Sequence, residues 1–239
     1  MNKSRFYLPV IIILLTLTGC MYPEEKLVQN QVPYKDQIDS VQSAVDQYKE
    51  ANTGLLPIKT RDAETPIYQK YPIEFKKIVP KFIAEPPGNA FESGGLFQYV
   101  LVDAETNPTV KLIDLRMADT IREIKMRIKA NGYPPFKEQI AANVYTLDFK
   151  KIGYKEEPVV VSPFTNQNLH FVISTAGEIY VDYRSDLYQA VKSTERELNE
   201  GEDIRDILVE NSMFVPAYSL PYTINKETKE PVFLQSEED

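Results

Sequence analysis

"KEANTGLLP" occupies residues 49–57 and "IKANGYPP" residues 128–135. Each runs from polar helix-forming residues into Ala-Asn, then Gly, then an apolar residue and Pro. Gly supplies the left-handed residue that ends a helix, and the Pro beyond it stops the helix from resuming. Before the first signal, Ile38, Val41, Val45 and Tyr48 recur at helical spacing; before the second, Met117, Ile121, Ile124 and Ile128 do. Each stripe predicts an amphipathic helix laid on a core. Asp36 and Asp39 suit the positive end of the first helix.

The segments after the two signals also correspond. "FKKI" stands at 75–78 and again at 149–152, each followed by a Pro-bounded loop. Phe75 lies 22 residues before Phe97, and Phe149 lies 22 before Phe171. "LFQYVLVD" (96–103) and "TVKLIDLR" (109–116) read as strands joined by "AETNP"; "LHFVIST" (169–175) and "EIYVDYR" (178–184) read as strands joined by "AG". "PVVVSP" (158–163) reads as a short strand. The spacing suggests a diverged internal duplication; the plainer reading is that helix-then-hairpin is common and "FKKI" recurs by chance. The expected fold is α+β, with two tandem helix-plus-antiparallel-hairpin modules, 34–116 and 117–184. C-terminal helices and an extended edge segment follow over 185–225. One of these helices carries Leu187, Val191 and Leu198 on one side. Residues 226–239 form an acidic tail, disordered at its end.

The first twenty residues bear on location. Lys3 and Arg5 precede an apolar run, Phe6 to Leu17, that ends in "LTGC" at 17–20. A positive start, a short apolar stretch and small residues before a cut site make a secretory signal, too short to span a bilayer. The four closing residues resemble the lipobox of bacterial lipoproteins. The resemblance implies cleavage between Gly19 and Cys20 and a diacylglyceryl group on the Cys20 thiol. Two acyl chains hold where one would not. The alternative is a short anchor with an incidental thiol, but Cys20 is the single Cys of 239 residues and stands where the lipid would go. The expectation is a signal peptide over 1–19, a lipidated tether over 20–33 and a cell-membrane protein facing away from the cytoplasm.

Composition narrows the chemistry. With Cys20 lipidated, no thiol is left for a disulfide, a redox centre or a thiolate metal site. Losing Lys3 and Arg5 takes the net charge from −8 to −10, which makes nucleic acid a poor partner.

Tyr48, Asn52, Gly54 and Pro57, followed by "IVPKFIAEPPGNAF" (78–91) and "FQYVLV" (97–102), resemble the globular half of type IV pilins and pseudopilins. Those proteins assemble through a long apolar N-terminal helix. Here the apolar segment ends in the lipobox and is discarded, so no pilin function carries over. The whole chain is similar to small lipoproteins of Firmicute-type bacteria, some labelled as transporter binding proteins.

Catalytic patterns are scarce. His170 is the single His; it reads as a general base or, more simply, as a half-exposed strand residue. No Gly-x-Ser-x-Gly elbow is present. The acidic stretches 103–108 and 199–206 lack the order of a calcium loop. "ESGG" (92–95) reads as an anion cradle or as a plain loop before a strand. Tyr99, Tyr145, Tyr180 and Tyr183 could stack on sugars or peptides if exposed, or fill the core of a chain without Trp. No catalytic, cofactor or metal residue is singled out. The leading expectation is a non-catalytic binding or scaffolding lipoprotein, with an envelope protein or wall polymer as partner in a groove between the modules. The alternatives are a solute-binding lipoprotein serving an ABC transporter permease and an envelope-acting hydrolase.

Overall fold

The computed structural model describes residues 35–234. The signal peptide, Cys20 and the whole of the tether lie outside the described residues.

Both stop signals end helices of 17 residues, α1 (Lys35–Ala51) and, later, α3 (Leu115–Asn131). After α1 the chain turns left-handed at Thr53 and Gly54, with φ of 55° and 89°, and the Gly54 amide donates to the Lys49 carbonyl at 2.9 Å. Asn52 Nδ2 donates to the Tyr48 carbonyl, satisfying a group the helix leaves open. After α3, Gly132 has φ of 90° and its amide donates to Ile128. Ile38, Val41 and Val45 are buried as expected, and Ala44 joins them.

The first module is a hairpin widened on both sides. β1 (Phe97–Val102) and β2 (Thr109–Asp114) pair antiparallel over all six residues. Residues 71–73 add to the outer edge of β1, with Ile73 N–H to Tyr99 O and Leu101 N–H to Tyr71 O at 2.9 Å each. Along β2 the chain's far end runs parallel: Leu112 donates to Met213 and Val215 donates back to Leu112. Gln42 on α1 fixes the helix to this sheet by donating to Pro108 O and accepting from the Val110 amide.

The two "FKKI" copies take up similar roles. Residues 75–78 make a one-turn helix, α2 (Phe75–Ile78), and 149–152 a 3-10 turn; Phe and Ile are buried in both. Pro80 lies beyond α2, which ends at Ile78.

The second half differs from a plain copy. The stretch after α3 holds β3 (Phe136–Ala141) and β4 (Val144–Leu147). They join β7 (Phe171–Ser174) and β8 (Ile179–Val181) in an antiparallel sheet of order β3-β4-β7-β8. β5 (Val160–Val161) and β6 (Asn168–Leu169) form a small separate ladder. The fold is therefore α+β with antiparallel hairpins.

Two further expectations need correction. The helix begun at "SDLYQ", α4 (Arg184–Ser193), stops at Thr194, which is extended, so Leu198 is not on it. α5 (Asp206–Glu210) is one turn. Residues 226–234 are not a free tail: β9 (Tyr222–Ile224) and β10 (Pro231–Phe233) form a hairpin. Phe233 is buried there with its ring 4.9 Å from that of Tyr222.

The apolar side chains gather into two main cores. One takes Ile38 through Leu112 with Phe214. The other takes Met117 through Phe233. Phe164 packs at the edge of both.

Candidate binding cleft between the two cores

One local device recurs at the corners where helices begin. Asp114-Leu115-Arg116, Asp182-Tyr183-Arg184 and Asp203-Ile204-Arg205 each place an Asp two residues before an Arg. In each, one carboxylate oxygen accepts the Arg backbone amide at 3.0–3.1 Å. The same carboxylate holds the guanidinium through Nε and Nη2, the latter at 2.5–2.6 Å. Each Asp thus fixes its Arg as a forked ion pair, and Asp114 also serves as the N-cap of α3. The intervening Tyr183 and Ile204 are driven inward, at 0% and 1% exposure.

The first of these corners stands on a cleft of about 1090 Å³ between the cores. Phe97, Met213 and Phe214 bring the first core to its wall, and Ile207 and Leu208 the second. Arg116 lies at its margin, its guanidinium on the buried Asp114. Phe97 and Phe214 meet edge-on at 5.6 Å, a favourable ring geometry.

The opposite wall is the loop 162–166, held by one carboxylate. Asp186, in the first turn of α4, is 1% exposed. It accepts from Ser162 Oγ at 2.8 Å and from Thr165 Oγ1 at 2.5 Å. Burial pushes its pKa up, and the two hydroxyl bonds oppose that shift. Ser162 Oγ also accepts the amides of Phe164 and Thr165, so its hydroxyl is used in full by the loop. These groups shape and polarise the cleft.

His170 lies elsewhere. Its Nδ1 is 2.8 Å from Glu157 Oε1, the side chain is 60% exposed, and it borders a separate depression with Asp182, Arg184 and Glu230. Of the candidate stacking residues, Tyr99 and Tyr183 are buried and unavailable as surface platforms. Tyr99 donates to Asn89 Oδ1 at 2.8 Å, and Tyr183 to Ala217 O at 3.1 Å. Tyr145 and Tyr180 are half-buried on the second sheet. "ESGG" acts as a tight loop: a Cβ on Gly95 would sit 2.1 Å from the backbone of Asn89. In the acidic stretches, Asp103 begins a turn with φ of 50°, and Asp203 is committed to Arg205. No group of three His, Cys, Asp or Glu side chains among the described residues is placed to hold a metal ion. No helix among them is long and apolar enough to cross a membrane.

The cleft residues Ser162, Thr165 and Asp186 escaped the sequence reading because they are far apart and match no motif. The Asp-x-Arg corners carried a local signal, the same triplet three times at helix starts.

No curated protein and no solved structure matches the chain. Residues 34–114, which contain α1, α2 and the β1–β2 hairpin, match the YphF family N-terminal domain.

Proposed function

We propose that this chain is a non-catalytic binding or scaffolding lipoprotein of the cell envelope, anchored at the membrane by lipid on Cys20, facing away from the cytoplasm. The observation that carries the binding role is the cleft between the two cores, with aromatic walls and a charged margin. Binding sites favour such concave junctions, where apolar walls give affinity and a few fixed polar groups give orientation. Arg116 supplies a fixed charge at the margin, and the loop 162–166 held by Asp186 supplies a shaped polar wall. The partner that suits the cleft is a segment of an envelope protein or a wall polymer.

The placement of the cleft between two cores favours a second reading, a solute-binding lipoprotein that delivers to an ABC transporter permease. Photo-crosslinkers at Asn166 and Gln189 on the cleft, with Lys226 as a remote control, separate the two. A protein or polymer adduct at the cleft positions alone supports the first reading. A permease adduct that forms only with a co-purifying small solute supports the second. Equal adducts at all three positions would remove the cleft from the account. Location is tested by Cys20→Ser, which should abolish fatty-acid labelling and leave the protein soluble or as unprocessed precursor. Unchanged labelling would refute the anchor.

A further inference from the structure

A second groove, of about 560 Å³, runs between α3 and the turn at residues 66–69. Arg122, Lys125 and Lys129 stand on its α3 side, with Met126 among them 58% exposed. Across it Ile67 is 60% exposed, in the turn whose Pro66 and Gln69 form the other rim. Arg61, just before that turn, is near enough to the Tyr218 hydroxyl for its charge to oppose the upward push of burial on that phenol. The floor is apolar and aromatic, from Ile179, Tyr180 and Tyr218.

Two of the four cations are committed: Arg122 to Asp119 at 2.6 Å and Lys125 to Glu178. Lys129 and Arg61 make no ion pair among the described residues. The residues lining the groove are net positive, Arg122, Lys125 and Lys129 against Glu178, on a chain of net −8, while Asp62 and Glu64 flank Arg61 along the chain.

We infer that this groove seats the headgroup of an anionic phospholipid and lays the α3 face of the protein on the membrane surface. Cations beside exposed apolar side chains match the boundary between phosphate headgroups and acyl chains, where both find partners at once. Phenols such as those of Tyr180 and Tyr218 sit well at headgroup depth. A soluble polyanion would use the cations but leave Met126 and Ile67 in water, which is why the lipid is the better match. The inference rests in part on the anchoring reading above: a tether over 20–33 spans at most about 50 Å, keeping this face within reach of the bilayer.

The test uses the mature chain, residues 20–239, with Cys20→Ser, so that vesicle binding comes from the folded surface alone. Flotation is compared on vesicles of phosphatidylcholine and on vesicles with phosphatidylglycerol added. Binding should require phosphatidylglycerol and weaken as salt is raised. Each cation removed should cost about five-fold, so Arg61→Ala with Lys129→Ala should weaken binding about 25-fold. Met126→Asp should weaken it too, and Lys226→Ala should not. Both mutated cations are exposed, so the thermal midpoint should stay in place; the salt dependence of the parent is a readout that needs no variant. Equal binding to both vesicle types, or a double variant that binds like its parent, would overturn the inference. Displacement by soluble glycerol phosphate would overturn it as well, assigning the groove to free phosphate. Fatty-acid labelling reports the anchor separately, so either idea can fail alone.

Discussion

Removing the Asp186 carboxylate should loosen the wall of the main cleft by a calculable amount. Asp186 is 1% exposed and accepts two hydroxyl bonds, from Ser162 and Thr165. A hydrogen bond to a charged group contributes about 1.5 kcal/mol at the low end of its range, so Asp186→Ala should cost about 3 kcal/mol. Urea unfolding at neutral pH measures this as a lowered midpoint at unchanged slope. The pH dependence gives a sharper check. Burial raises the folded pKa above the ordinary value of 3.8. Between the unfolded and folded pKa values the native state holds more protons, so this group's contribution is full below the unfolded value and is lost as pH rises through the folded one. Asp186→Asn cannot titrate and removes that dependence. The stability of the parent relative to Asp186→Asn should therefore fall as pH rises from about 3 toward neutral. A difference that grows with pH, or an Ala variant within about 0.5 kcal/mol of the parent, would refute the placement of the carboxylate.

Gly95→Ala should destabilise by about 3 kcal/mol, the upper end of overpacking costs, because the added methyl meets backbone rather than a movable side chain; an unmoved denaturation midpoint would contradict this. Lys111 Nζ on β2 donates to Val209 O at 2.8 Å and Ser212 O at 2.5 Å, tying the first module to the end of α5. Lys111→Met should cost about 2 kcal/mol and speed hydrogen exchange over 206–215, whereas uniform exchange would show that the clamp is dispensable. His170→Ala should leave the thermal midpoint nearly in place, within about 0.5 kcal/mol, given its exposure; a large drop would reveal contacts beyond Glu157.

The helices α1 and α3 were legible because burial on one face writes a 3.6-residue period, and their ends because Gly54 and Gly132 take backbone angles few other residues accept. β3 was not legible. Its "FKEQIA" is largely exposed and so shows no alternation, and its turn uses Ala142-Asn143, with Asn143 at φ of 58° instead of a Gly. The C-terminal helix is shorter than its sequence suggests: "STERELNE" has helical propensity, but its polar side chains give it little reason to pack. The hairpin over 222–233 was hidden by the charged turn between its strands. The main cleft needed the whole fold: Asp186 meets Ser162 and Thr165 only after two ladders and a helix have been placed.

The strip formed by Met213 to Val215 along β2 sets an order on assembly. Leu112 finds its neighbour about a hundred residues later in the chain, and that closure is entropically slow. A polypeptide emerging from its front end therefore carries an unfinished sheet edge until about nine-tenths of these 239 residues have appeared. Truncation anywhere before residue 213 would leave that flank bare, so a shortened product would advertise itself to proteases and to self-association.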